Sequence, residues 1–196
     1  MTDYFALLDQ PHLPWLDPDE LKNTYHQKTL QAHPDARASR PSPDAMDATF
    51  ARLNEAYQVL QDPKRRLHHL LSLKGSAPSS TDQTVPKQLH DLFPAVGALT
   101  QRANVLLEKI QATSNALSRS LLKRQILEVQ NEAKEVRKKM QNLFDASLAE
   151  LRQINTAWAQ NPAEQIQGLS NLYVAFAYLT RWSAQLDEMT FQLSLL

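Results

Sequence analysis

Apolar residues recur at helical spacing through the C-terminal half of the chain, where steps of three and four residues alternate. The first apolar stripe lies within residues 89–110, the second within 122–158 and the third within 166–193. This spacing places the apolar side chains on one face of each helix. Three such helices with short connections predict an antiparallel three-helix bundle.

The N-terminal part predicts shorter helices. A helix begins after Asp17, a suitable N-cap, with Pro18 at its first position. It must end at Ala32, because the residue before a proline avoids the helical region. A second helix is predicted from about residue 44 to 61, with Phe50 and Leu53 on its apolar face, and a short third helix follows Asp62-Pro63.

The segment from residue 75 to 86 has the Gly, Ser, Thr and Pro content of a linker. It divides the chain into an N-terminal domain (1–75), a linker (76–86) and a C-terminal helical domain (87–196). With only three glycines among 196 residues, the composition favours an all-α fold over a turn-rich β fold.

The composition also excludes several kinds of site. The chain has no cysteine, which rules out disulfides, zinc–thiolate sites and directly bound iron–sulfur clusters. The formal net charge is zero, which argues against nucleic acid as a partner. No apolar run approaches the ~20 residues of a membrane helix and no targeting pattern is present, so we expect a cytoplasmic protein without a membrane partner.

Two adjacent histidines are candidates for a metal site or an acid–base site. His68 and His69 point about 100° apart on a helix and do not converge on one ligand. We therefore expect no metal site, no cofactor and no catalytic residue in this chain.

The triplet His33-Pro34-Asp35 is the short motif that points to a function. It directly follows one amphipathic helix and precedes a polar loop and a second helix. Proline fixes the backbone φ angle, so little entropy is lost when the turn docks on a partner. The Asp35 carboxylate can accept two hydrogen bonds from an arginine of that partner.

In this setting the sequence resembles the J-domain family. The resemblance covers residues 3–74 and includes the start Asp-Tyr-Phe-Ala-Leu-Leu and the segment 50–63, Phe-Ala-Arg-Leu-Asn-Glu-Ala-Tyr-Gln-Val-Leu-Gln-Asp-Pro. It implies an N-terminal helical hairpin in which His33, Pro34 and Asp35 dock on a DnaK-type chaperone and trigger its ATP hydrolysis. The catalytic groups then belong to the chaperone, so this chain is expected to be no enzyme.

The resemblance also implies a basic helix face that meets an acidic surface of the chaperone. The matching residues are Lys22, His26 and Lys28, opposed by Asp19 and Glu20. The alternative for these residues is an ordinary solvated helix face. The alternative function is therefore a J-like helical adaptor that binds partners without stimulating the ATPase.

A narrower resemblance is to the HscB type of J-protein. It rests on the ending Leu-Leu-Ser-Leu-Lys-Gly at 70–75, the segment 136–145, and the order of J-domain, linker and three-helix bundle. It implies an HscA-type chaperone as partner and an iron–sulfur scaffold protein as client. The client surface would include Leu89, Phe93 and Tyr178, although most acids of the family's surface are missing, and an ordinary core or surface role remains the alternative.

Overall fold

The computed structural model describes residues 1–32, 43–77 and 85–196. Within 43–77 it describes the secondary structure throughout and the side chains from residue 48 onward. Every regular element in these ranges is a helix, which confirms the predicted all-α class. No helix in them has the length and apolar character needed to cross a membrane. The helices are α1 (Tyr4–Leu7), α2 (Pro18–Ala32), α3 (Pro43–Gln61), α4 (Pro63–Leu73), α5 (Leu92–Ala112), α6 (Ala116–Trp158) and α7 (Pro162–Ser194), with a 3-10 turn at Lys87–Leu89 before α5.

Aspartates cap α2 and α4, and the cap at Asp17 is the one that the sequence predicts. The Asp17 carboxylate accepts hydrogen bonds from the backbone N–H of Asp19 (2.9 Å) and Glu20 (3.1 Å) at the start of α2. Asp62 accepts the N–H of Arg65 at 2.8 Å, with Pro63 at the first turn of α4. Each cap satisfies N–H groups that a helix leaves without intrahelical partners.

The chain forms two compact units. Unit 1 contains Met1–Asp82 and Glu150–Tyr173, and unit 2 contains Gln83–Ala149 and Val174–Leu196. The end of α6 and the start of α7 therefore belong with the N-terminal helices. The division of the sequence at residues 75 and 87 stays a prediction.

The core of unit 2 is built from the predicted apolar stripes of α5, α6 and α7. Burial of these side chains supplies the main favourable term for packing the three helices. The buried positions include Leu92, Val96, Leu99, Ala103, Leu106 and Ile110; Ile126, Val129, Ala133, Val136 and Met140; and Leu179, Trp182, Leu186, Met189 and Leu193.

Unit 1 has a core in which one arginine is buried. Arg66 is 4% exposed; its Nε donates to the Pro14 carbonyl at 2.8 Å, and its guanidinium also donates to the Leu60 carbonyl at 2.5 Å. Burial lowers the pKa of Arg66 to about 10, so it stays charged at neutral pH. Arg66 thus joins the end of α3 to the loop before α2.

The corner between α6 and α7 is fixed to the N-terminal helices of unit 1 by polar contacts. The Trp158 Nε1–H donates to the His12 carbonyl at 2.9 Å, and the Trp15 N–H donates to the Asn155 side chain at 3.0 Å. The Arg152 guanidinium lies 5.2 Å from the Trp15 ring centroid, a cation–π distance. These contacts explain why residues 150–173 belong to unit 1.

Candidate functional site

His33, Pro34 and Asp35 lie outside the described residues, but the two helices on either side of them are described. The Tyr25 hydroxyl of α2 donates a hydrogen bond to the Asn54 side chain of α3. The Tyr25 ring also stacks on Tyr57 of α3, with ring centroids 4.3 Å apart and planes 16° apart. The helices that carry the motif segment are therefore held side by side.

The three basic candidates on α2 do not form one cluster. Lys22 and His26 are exposed and lie four residues apart, so they share a face of the helix. Lys28 instead pairs with Asp9, with its Nζ 2.7 Å from the carboxylate and its side chain only 24% exposed. Lys28 lies about 200° around the helix from His26. Of the three basic candidates, only Lys22 and His26 therefore remain together on one exposed face of α2.

Two large apolar side chains, one on α2 and one on α3, are exposed, which the sequence pattern does not predict. Leu30, in the last turn of α2, is 69% exposed, and Phe50 of α3 is 48% exposed. Phe50, which the sequence places on the apolar face of α3, is therefore not buried; the first described residue of that face that is buried is Leu53, at 4% exposure. Exposed apolar groups of this size on two packed helices are suited to a partner that covers them.

The two histidines of α4 have different environments. His68 is exposed, whereas His69 is 4% exposed and its Nε2 accepts the Tyr4 backbone N–H at 3.1 Å. The His69 ring also stacks on Phe5, with centroids 5.7 Å apart. Burial lowers the pKa of His69, against the opposing effect of the Asp3 charge, so the imidazole is neutral at pH 7 and helps to hold α1 in place.

The three candidate client contacts in unit 2 divide into buried and accessible residues. Leu89 is fully buried, because the 3-10 turn before α5 folds it into the core of the unit. Its side chain offers no surface to a partner, which corrects its assignment to a client surface. Phe93 is 56% exposed and Tyr178 is partly buried, so the candidate client surface reduces to these two.

A tryptophan links the two remaining candidates. The Trp182 ring centroid lies 6.2 Å from that of Phe93 and 5.3 Å from that of Tyr178. The Arg181 guanidinium lies 5.3 Å from the Tyr178 ring. The predicted apolar stripe of α7 already placed Trp182 in the core, but it gave no sign that this ring joins Phe93 to Tyr178.

Comparison with known proteins identifies the N-terminal part. The family model of the DnaJ domain matches residues 3–69, which include α1 to most of α4 and the triplet His33-Pro34-Asp35. Residues 3–69 are thus similar to a DnaJ domain, and this matched region is called the DnaJ domain below. It contains the packed α2–α3 pair and the buried Arg66.

Curated relatives extend the similarity beyond the DnaJ domain. The chain is 33% identical over 116 residues to the co-chaperone protein HscB of Proteus mirabilis (strain HI4320), covering 58% of this chain and 64% of that protein. It is 39% identical over 72 residues to the co-chaperone protein HscB homolog of Aeromonas salmonicida (strain A449), covering 36% and 42%. Both matches span less than two thirds of the relative's length.

Solved structures share the fold over nearly the whole chain. The chaperone HscB from Vibrio cholerae has a TM-score of 0.54 at 21% identity, covering 98% of this chain and 99% of that one. Human co-chaperone protein HscB has a TM-score of 0.53 at 17% identity, covering 95% and 81%. The predicted resemblance to J-domain proteins of the HscB type is confirmed.

Proposed function

We propose that this chain is a co-chaperone that stimulates ATP hydrolysis by a DnaK- or HscA-type chaperone and delivers a client protein to it. The observation that carries the proposal is the DnaJ domain at residues 3–69, with His33-Pro34-Asp35 between α2 and α3. In this scheme the catalytic groups belong to the chaperone, so the chain itself is no enzyme. The cytoplasmic location expected from the sequence is part of the same proposal.

The packing of the helices on either side of the motif supports a mechanism for this stimulation. The packed α2 and α3 hold both ends of the motif segment, and Pro34 restricts its backbone, so little entropy is lost when it docks. The Asp35 carboxylate then pairs with an arginine of the chaperone. Lys22 and His26 raise the encounter rate with an acidic surface, and Leu30 and Phe50 offer apolar contact next to it.

We further propose that the client is an iron–sulfur scaffold protein. The support is the name HscB carried by both curated relatives and by the solved structures. In unit 2, Phe93 and Tyr178 around Trp182 supply an accessible aromatic surface for it. Aromatic side chains and arginine are the residue types that most often dominate binding energy at protein interfaces, and Arg181 lies beside Tyr178.

The ATPase part of the proposal is tested by single-turnover ATP hydrolysis on the cognate chaperone. Adding the full chain should accelerate hydrolysis, and the His33→Gln variant should not. His90→Gln is the matched control, because His90 is an exposed histidine of unit 2, and it should stimulate like the parent chain. Absence of stimulation, or equal stimulation by His33→Gln, would overturn this part.

The client part is tested by capture of a purified iron–sulfur scaffold protein on the immobilised full chain. Phe93→Ala should weaken capture, whereas Phe191→Ala should not, because Phe191 is equally exposed at 59% but lies elsewhere on unit 2. Equal capture by the two variants would count against the proposed client surface.

One observation favours the adaptor alternative. Lys28 is neutralised by Asp9, so α2 presents less positive charge than the sequence suggests. If the chain binds the chaperone and the scaffold but ATP turnover is unchanged, the adaptor function replaces the co-chaperone function.

A further inference from the structure

We propose that a cavity in unit 1 binds a small anion that carries an aromatic ring, such as an aryl phosphate. The cavity has a volume of about 430 Å³, within the range of small-molecule sites. Tyr4 of α1 and Tyr173 of α7 contribute to its walls. Along α4 it is lined by Lys64, Arg65, His68 and His69.

The positive charge of the cavity comes from two neighbouring residues at the start of α4. Lys64 and Arg65 form no ion pair with an acidic side chain of the described residues. Arg65 makes only a long hydrogen bond, 3.5 Å, to the Gln58 carbonyl. Two cations without an acidic partner at one concave site attract an anion and can donate charge-assisted hydrogen bonds to it.

The two acidic residues nearby, Asp62 and Glu55, form no ion pair with Lys64 or Arg65. The Asp62 carboxylate accepts the Arg65 backbone N–H as the cap of α4. Burial and the nearby Glu55 carboxylate together raise the pKa of the Tyr4 hydroxyl. The side chains of Lys64 and Arg65 therefore stay available to an incoming ligand.

Aromatic rings form part of the cavity wall. The His68 ring lies against Tyr173 with centroids 5.6 Å apart, and the His69 ring lies against Tyr4 with centroids 4.6 Å apart. Lys64 lies four residues before His68 on α4, and Arg65 lies four residues before His69. Residues four apart are neighbours on a helix surface, so Lys64 adjoins the His68–Tyr173 pair and Arg65 adjoins the His69–Tyr4 pair. A flat ring can pack against such walls while its anionic group meets the two cations.

The test is a titration of the ¹⁵N-labelled full chain, followed by the amide signals of Tyr4, Arg65, His68 and Tyr173. The ligands are phenyl phosphate, inorganic phosphate and phenol. We expect saturable shifts of these signals with phenyl phosphate, weaker binding of inorganic phosphate, and the weakest response to phenol. Tighter binding of inorganic phosphate than of phenyl phosphate would remove the aromatic part of the proposal.

The double variant Lys64→Gln/Arg65→Gln should raise the Kd for phenyl phosphate by at least about tenfold. Its matched control is Lys123→Gln/Arg124→Gln, which removes an adjacent and exposed lysine–arginine pair from α6, and its Kd should equal that of the parent chain. Circular dichroism establishes that both variants are folded. Absence of saturable binding, or the same Kd in both double variants, would overturn the proposal.

Discussion

Replacement of Arg66 by methionine tests the interpretation that a buried guanidinium joins two parts of the DnaJ domain. The change keeps an apolar stem of similar length but removes the hydrogen bonds to the carbonyls of Pro14 and Leu60. Neither carbonyl gains a new donor from the methionine. Both acceptors would then be left without this partner in a buried environment.

The expected cost is a difference between two opposing contributions to the free energy of unfolding. Hydrogen bonds from a charged donor contribute about 1.5–3 kcal/mol each, so the two bonds together stabilise the fold by about 3–6 kcal/mol. Burial lowers the pKa of Arg66 to about 10, and at about 1.4 kcal/mol per pH unit this corresponds to about 3 kcal/mol of desolvation. The difference between these contributions is about 0–3 kcal/mol, and from its middle we expect Arg66→Met to destabilise the protein by about 1–2 kcal/mol.

Urea unfolding followed by tryptophan fluorescence and circular dichroism measures this change. The matched control is Arg65→Met at the next position, where the side chain is exposed and the effect should stay within about 0.5 kcal/mol. On heating, the Arg66 variant should lose about 4–8 °C in Tm. Equal stability of the two variants, or a gain on replacing Arg66, would refute the reasoning.

Three further predictions concern unit 1. Burial lowers the pKa of His69, so as the pH falls the unfolded chain protonates this imidazole before the folded protein does, and the free energy of unfolding should decrease below about pH 6.5. The urea midpoints at pH 7.5 and pH 5.5 should therefore differ less in His69→Gln than in the parent chain, and an unchanged difference would contradict this. Trp158→Phe removes the 2.9 Å hydrogen bond to the His12 carbonyl and should lower the free energy of unfolding in urea by about 1 kcal/mol. An unaltered urea midpoint would exclude a stabilising role for that hydrogen bond. Gly75 has a φ of +70°, so Gly75→Ala should lower stability by about 1 kcal/mol in the same assay; a more stable variant would argue against that backbone conformation.

Local features of the fold could be predicted from the sequence because their causes lie within a few residues. The cap at Asp17, with Pro18 beside it, places the start of α2 where the structure has it. The stripes of α5 to α7 identify the core of unit 2, since apolar residues at steps of three and four must share one helix face. The DnaJ domain could be recognised for the same reason, as its motifs are contiguous.

Other features could not be predicted because they depend on residues far apart in the chain. Lys28 pairs with Asp9 and His69 accepts a bond from Tyr4, 65 residues away; neither pairing has a local signal. Arg66 directly follows Lys64 and Arg65 in the sequence and looks like a third solvated cation, but it is buried. Only the packed structure distinguishes such cases.

The concentration dependence of ATPase stimulation by the Asp35→Asn variant tests the central claim most directly. If Asp35 pairs with an arginine in a buried contact, losing its charge should cost about 2–5 kcal/mol of productive docking. At about 1.4 kcal/mol per tenfold change, the half-maximal concentration in single-turnover hydrolysis should then rise more than tenfold. A variant that stimulates the cognate chaperone at the same half-maximal concentration as the parent chain would contradict the account.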